Sequence, residues 1–306
     1  MPDRDILETI ELTVGSGNML LNEPMSSHTT FRVGGMADAY VRVTDREMLK
    51  KLISLLKDKE ISYYLIGNGS NILVSDEGYR GVVIELAGDF LSLTVEGDHI
   101  KAGSAVMLGQ IASAALKSEL AGMEFASGIP GTLGGALVMN AGAYGGEMKD
   151  IVESVELFDP ESAEFFTVSG SDMEFGYRRS ILKDKPCIAL GAVIGLHHGD
   201  REEIKAIMDK LNASRREKQP LEYPSAGSTF KRPEGYYAGA LIEKSSLKGF
   251  GYGDAVISEK HAGFLINRGQ ATATDIYRTI REVQRRVYED SGVKLEPEVI
   301  MLGDFE

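Results

Sequence analysis

Apolar residues recur at three- and four-residue intervals in three stretches of the chain, and each such stretch predicts an amphipathic helix. In TDREMLKKLISLLKD the face is Leu49, Leu52, Ile53 and Leu56, and Thr44 with Glu47 reads as a capping box at its start. In REEIKAIMDKL the face is Ile204, Ile207, Met208 and Leu211. In DIYRTIREVQRRVYEDSG it is Ile276, Ile280, Val283 and Val287, with Gly292 placed to stop the helix. All three faces read as core packing. Between them lie short strand-like runs bounded by Gly and Asp: SYYLIG, GVVIEL, LSLTVEG, HIKAG, SVELFD, FFTVSG, CIALGAVIGL and AGFLIN. Strands dominate from Ile61 to Leu196, and a helix–strand–helix pattern takes over from Arg201. Strands followed by segregated helices predict an α+β architecture. The polar stretch NASRREKQPLEYPSAGS, from Asn212 to Ser228, is expected to be an inter-domain connection or a functional loop.

Length and charge narrow the picture. A chain of 306 residues accommodates one large or two moderate domains. Its net charge of −13 argues against a general surface for nucleic acid or anionic membrane. Cys187 is the single cysteine, which excludes an internal disulfide and a Cys-rich zinc site, and no metal site is expected. The start, MPDRDILETIEL, lacks a charged-then-apolar signal, and no apolar run approaches the ~18–20 residues of a spanning helix. A cytoplasmic location is the expectation.

Two glycine-rich runs carry the first chemical hints. SGIPGTLGGALVMNAGAYGG, from Ser127 to Gly146, holds seven glycines among residues that want burial: Ile129, Leu133, Leu137, Val138 and Met139. Close backbone approach to a flat, largely apolar ligand explains that mixture, as do tight chain crossings. LIGNGSNILVSDEGYRG runs from a strand into Gly67-Asn68-Gly69-Ser70-Asn71, a turn whose N–H groups can form an anion nest suited to pyrophosphate. The same residues also fit a plain tight turn. No G-x-x-x-x-G-K-[ST] occurs, and Ile72 stands where G-x-G-x-x-G needs its third glycine, so neither a P-loop nor a Rossmann site is supported.

Three further segments supply reactive groups. Tyr177-Arg178-Arg179-Ser180 puts two fixed cations next to a phenol, suited to a carboxylate or phosphate. PSAGSTFKRP places Ser228 ahead of Lys231 and Arg232 outside any G-x-S-x-G context; no histidine is paired with it by sequence, which argues against a hydrolase triad and leaves a proton donor or, more commonly for a lone serine, a plain loop hydroxyl. KLEPEVIMLG carries Glu296 and Glu298 two apart, on one side of an extended chain.

In order, TTFRVGG, IGNGSNILVSDEGYRG, SGIPGTLGGALVMNAGAYGGE, YRRS, AGSTFKRP, AGALIEKSSLKGFGYGDAVISEKHAGFLIN and LEPEV resemble the UDP-N-acetylenolpyruvoylglucosamine reductase family over nearly the whole chain. The resemblance implies a vanillyl-alcohol-oxidase-type FAD-binding fold of two α+β subdomains plus a C-terminal α+β substrate domain. It places the FAD domain at 30–196, split near residue 60 with 1–29 and the C-terminal tail on the first subdomain, and the substrate domain at 205–300. It implies FAD as cofactor, NADPH as hydride donor, a UDP-sugar enolpyruvyl ether as substrate, and a monomer. Carried over, Gly67, Asn68, Gly69, Ser70 and Asn71 hold the pyrophosphate. Gly128, Ile129, Gly131, Gly134 and Gly135 face the isoalloxazine, with Asn140, Ala141 and Gly142 near it. Tyr144 contacts the UDP-sugar, and Ser228, Arg178 and Glu298 match the catalytic positions. Lys218, Arg232 and Tyr236 are candidates for gripping the uridine by charge and position. Only 49 residues separate Arg178 from Ser228, which resembles the shorter form of the family, without the substrate-facing tyrosine loop.

Overall fold

The structure, a computed structural model, describes residues 2–305. Its helices there are α1 (Arg4–Val14), α2 (Arg46–Asp58), α3 (Leu108–Lys117), α4 (Leu133–Met139), α5 (Arg201–Lys218), α6 (Ala238–Lys244) and α7 (Ala273–Ser291). None is long and apolar enough to cross a membrane.

The first layer is a four-stranded sheet in the order Met19–Pro24, Met36–Val43, Tyr79–Leu86, Tyr63–Ile66. The first pairing is antiparallel and the other two are parallel, because α2 carries the chain across between strands. The apolar stripes of α1 and α2 bury Leu7, Ile10, Leu49, Leu52 and Leu56 against Val41, Val82 and Ile84. Phe158, Ile188 and Leu190 of a second sheet complete that core.

The second sheet is antiparallel, in the order Glu164–Ser169, Val152–Asp159, Ile188–Gly195, His99–Gly103, Leu93–Glu96. Helices α3 and α4 pack on it through Leu108, Ile111, Leu133 and Leu137. A third core is built from α6, α7 and the small sheet Gly251–Tyr252, Ala255–Ile257, Leu265–Asn267.

Two ties bind this third unit to the first. The strand Ile300–Leu302 returns to pair in parallel with Ile72–Val74, directly after the Gly67–Asn71 turn. Asp76 accepts hydrogen bonds from the Ala273 and Thr274 amides and the Thr274 hydroxyl at the start of α7. Strand and helix therefore deliver the 290s segment to the edge of the glycine turn.

Several local expectations change. The cap of α2 is Asp45, whose carboxylate accepts from the Met48 amide, so Thr44 and Glu47 do not form the box. A carboxylate one residue nearer the helix outcompetes the threonine. The segment expected as a connection from Asn212 is helical as far as Lys218, with Arg215, Arg216 and Lys218 in the last turn where the dipole favours cations. Within the glycine-rich run, Thr132 caps α4 through the Gly135 amide, and Asn140 ends it in the left-handed conformation at φ 43°.

Candidate active site

The turn after Tyr63–Ile66 is laced to the turn before α4. Asn68 Nδ2 donates to the Pro130 carbonyl at 2.8 Å. Gly67 lies so close to Thr132 that a Cβ would strike its hydroxyl, and Gly69, at φ +58°, lies on the His28 carbonyl. These close approaches hold two backbone turns side by side. With Leu108, Ile129, Ala136, Val138 and Met139 they wall a largely apolar chamber. Past Gly67, Asn68 and Thr132 the space continues between the two sheets, along Leu65, Ser104, Met107, Gly134, Cys187 and Ile188.

At the other end of the chamber stand three reactive side chains. Gly176 and Arg179 exchange backbone hydrogen bonds across a two-residue turn. Arg178 occupies its second position at φ +55°, a conformation rare outside glycine, and the turn directs its guanidinium inward. Arg178 Nε meets Glu298 Oε1 at 2.6 Å. The Glu298 amide donates to the Thr229 carbonyl at 2.8 Å, and the Thr229 amide to Gly263 O at 2.9 Å, so the strand-like segments around Ser228 and Glu298 are stitched together. Glu298 is 12% exposed at its side chain while Glu296, two residues away, is 69% exposed and pairs with Lys231. Burial raises the Glu298 carboxyl above its ordinary pKa, against the opposing pull of Arg178, Lys183 and Lys231. The Ser228 side chain opens on the cleft, and its hydroxyl has no hydrogen-bond partner among the described residues.

A second cleft lies beyond, lined by Tyr177, Phe230, Arg232, Tyr237, Lys248, Lys260 and His261. The Tyr177 hydroxyl accepts the Arg232 amide at 2.9 Å, and the Arg232 guanidinium sits 4.0 Å from the Tyr237 ring centre. Lys248 is paired with Glu243, and Lys260 donates to the Arg216 carbonyl. Arg178, Ser228 and Glu298 are the described residues that line both chamber and cleft. The three catalytic candidates thus form the partition between an apolar room and a cationic one.

The remaining candidates divide. Ser70, Ile129, Ala141 and Gly142 line the chamber, and a Cβ at Gly131 or Gly135 would meet its nearest protein neighbours only at ordinary contact distance, 3.8 Å from Ser70 Oγ and 3.7 Å from Thr132 Oγ1. Gly134 packs against Ser104, and its Cβ would lie 3.1 Å from that side chain. Gly128 lies outside the lining, under α5, and a Cβ there would be 2.6 Å from Asn212 Oδ1. Asn140 is buried and fully engaged: it donates to Glu147 at 2.8 Å and Gly176 O at 3.0 Å and accepts from the Lys149 amide at 2.9 Å. Asn71 turns its amide to the Glu298 carbonyl at 3.1 Å. Tyr144, half exposed at φ +55°, and Lys218 on α5 line neither space, and Tyr236 offers only its carbonyl, to Arg232 Nε at 3.3 Å. Sequence reasoning did not single out Tyr237, Lys248, Lys260, Arg215 or Gln219. Lys260 lies within the quoted SEKHAG, but only the fold brings it opposite Arg178.

A dinucleotide with a flat ring fits this space. The Gly67–Asn71 turn is a backbone cradle for a pyrophosphate, with Gly67 and Gly69 standing where a Cβ would collide, and the wall of Leu108, Ile129, Ala136 and Met139 suits a flat apolar ring. The fold and the cavity define a flavin-binding oxidoreductase: residues 37–168 match the FAD binding domain family model. Residues 219–302 match the model described as UDP-N-acetylenolpyruvoylglucosamine reductase, C-terminal domain.

The chain belongs to the UDP-N-acetylenolpyruvoylglucosamine reductase family. It is 50% identical over 299 residues to that reductase of Caldanaerobacter subterraneus subsp. tengcongensis, covering 98% of each chain. It is 50% identical over 304 residues to that of Clostridioides difficile, covering 99% of this chain and 100% of the other. The crystal structure of the Thermus caldophilus reductase superposes with a TM-score of 0.80 at 37% identity, covering 93% of this chain and 98% of that one. A glucose oxidase variant of Phl p 4 matches at TM-score 0.51 and 14% identity over 65% of this chain and 45% of the other, a likeness of fold alone.

Proposed function

We infer that this chain is an NADPH-dependent flavoenzyme that reduces the enolpyruvyl group of UDP-N-acetylglucosamine-enolpyruvate to UDP-N-acetylmuramate in peptidoglycan precursor synthesis. The observation that carries the reading is the partition: Arg178, Ser228 and Glu298 face the apolar chamber on one side and the cationic cleft on the other. When bound in the chamber, FAD supplies the hydride that NADPH gives it, destined for C3 of the enolpyruvyl group.

The chain's own residues do the rest. Gly67 to Ser70 carry the pyrophosphate, and Gly131 and Gly135, bare of side chains on the chamber wall, admit the ring. Arg232, Lys248 and Lys260 supply cations for the sugar nucleotide's diphosphate. Arg178 and protonated Glu298 donate to the substrate carboxylate as charge develops at C2. Such preorganised donors are each worth about 3 kcal/mol. The substrate's carboxylate, a like charge, raises Glu298 further and keeps its proton in place. The Ser228 hydroxyl hands its proton to C2, and the neighbouring cations stabilise the alkoxide left behind. Residues 30–196 hold the cofactor and 205–300 the sugar nucleotide, the partition standing where they meet.

Ser228→Ala tests this division. Reduction of the bound flavin by NADPH stays within about twofold, while reoxidation by the enolpyruvyl substrate falls by ~10²-fold or more. Equal slowing of both half-reactions, read by anaerobic stopped-flow absorbance, removes Ser228 from the proton-donor role.

A further inference from the structure

Arg178 holds a backbone conformation that its own side chain disfavours. At φ +55° it stands second in the two-residue turn closed by Gly176 and Arg179, in the left-handed region that suits glycine or asparagine. A residue kept there must be held by its surroundings. Two of the bonds that hold this turn come from the end of α4. A backbone carbonyl has two lone pairs, and both are used at Gly176: the Arg179 amide donates to it at 3.2 Å and Asn140 Nδ2 at 3.0 Å. Two residues beyond Arg178, Ser180 Oγ donates at 3.2 Å to the Val138 carbonyl, one of those that a helix end leaves without an intrahelical partner. Asn140 and Ser180 are 1% and 0% exposed, so water does not compete for either bond.

Asn140 is fixed in turn. It ends α4 at φ 43° and ψ 57°, and besides its bond to Gly176 it donates to Glu147 Oε2 at 2.8 Å and accepts from the Lys149 amide at 2.9 Å. Lys149 holds the Glu147 carboxyl below its ordinary pKa, helped by the Asn140 hydrogen bond and the Arg178 charge and opposed by burial, so this acceptor stays ionised. Asn140 lines neither chamber nor cleft, whereas Gly135, Ala136, Val138 and Met139 of the same helix line the chamber. One element therefore walls the chamber with its body and grips the Arg178 turn with its end. We propose that Asn140 is a positioning residue for Arg178: it locks the 176–179 turn to the end of α4, so that the guanidinium stands at a fixed place relative to a ring lying on that helix. The proposal rests on the flavoenzyme reading above. It moves Asn140 from the cofactor's surroundings, where the family resemblance set it, to the backbone behind the arginine. The Arg178–Glu298 contact at 2.6 Å then has both ends fixed, Glu298 by its amide bond to Thr229 and Arg178 by Asn140.

A double-mutant cycle tests this, read on the anaerobic reoxidation of reduced holoenzyme by UDP-N-acetylglucosamine-enolpyruvate. Asn140→Gly keeps the left-handed cap and deletes the side-chain bonds to Gly176, Glu147 and Lys149. Flavin reduction by NADPH stays within about twofold, while reoxidation falls ~10–10²-fold, the scale of a displacement of about 1 Å. In an Arg178→Ala background the same substitution changes reoxidation by no more than about twofold, because the group it positions is gone. Asn140→Asp keeps the size, the tolerance of the left-handed region and the acceptor for the Lys149 amide, but takes the donor away from Gly176; it carries the cycle should Asn140→Gly fail to fold. Unchanged reoxidation in the single variants overturns the proposal. Equal slowing with and without Arg178, the mark of a general structural role, also overturns it. Loss of flavin from both variants returns Asn140 to the cofactor and overturns it too. Wild-type holoenzyme that NADPH reduces but the enolpyruvyl substrate does not reoxidise defeats the functional reading itself, a different outcome from any of these.

Discussion

In the proposed mechanism Glu298 serves as a donor only while it holds its proton. Burial raises its pKa and Arg178 opposes the rise, with burial the larger influence. The folded chain therefore binds this proton more tightly than the unfolded chain does. The stability tied to that proton is fully present below the unfolded value of about 4.3 and is lost as pH rises through the folded value. The same sign applies to function: reoxidation by the enolpyruvyl substrate declines as pH rises through a pKa above the ordinary carboxyl range. Glu298→Gln, whose amide does not titrate, removes that alkaline limb from the pH profile of the second half-reaction. An identical limb in the variant assigns the titration elsewhere. At this scale the sequence was informative, because Arg178, Ser228 and Glu298 each sit in a short recognisable run. The residue pattern alone leaves open which of Glu296 and Glu298 points inward, and only the resemblance selects Glu298; the orientation depends on the pairing of Phe230 with Pro297 and on Lys231 holding Glu296 outside.

The glycine-rich elements separate into crossings and contacts. At Gly69 the φ is +58° and the His28 backbone fills the place of a Cβ; at Gly142 the Gly146 carbonyl does so at 2.6 Å. Gly131 and Gly135 line the chamber, and a Cβ at either would meet the protein only at ordinary contact distance. Gly69→Ala therefore loses roughly 2 kcal/mol or more of stability from left-handed strain and collision. Gly135→Ala stabilises the flavin-free chain by about 0.5–1 kcal/mol, as alanine does inside a helix, while flavin retention falls. Urea unfolding of the apoprotein and the flavin-to-protein absorbance ratio check both. Flavin loss with Gly69→Ala alone, and retention with Gly135→Ala, contradicts the assignment. Long amphipathic helices such as α2 and α7 were readable from periodicity because their faces carry large aliphatics. Helices α4 and α6, at seven residues each, were too short for a period to show, and α3 buries Ala112 and Ala115 on its face where larger residues mark a helix more clearly. Helix α5 was read one turn and more too short because its last two turns carry mostly polar residues, Arg215 among them.

Across the whole molecule, three cores meet at one partition. The first two join through Phe158, Ile188 and Leu190, and the third is tied back by the Ile300–Leu302 strand and the Asp76 cap on α7. That return strand sets Glu298 beside Asn71, so the proposed pyrophosphate turn and the proposed catalytic acid share a backbone ladder. Periodicity conveyed the α+β class, but not this convergence: pairing of residue 300 with residue 72 is a long-range contact with no local trace. One measurement sets the proposed turnover apart from an oxidase on the same fold and from a nucleotide-binding module without flavin chemistry. Both are decided by mixing NADPH-reduced holoenzyme, without oxygen, with UDP-N-acetylglucosamine-enolpyruvate while following flavin absorbance near ~450 nm. The expected result is rapid reoxidation with one UDP-N-acetylmuramate formed per flavin; a flavin that stays reduced until air is admitted would contradict it.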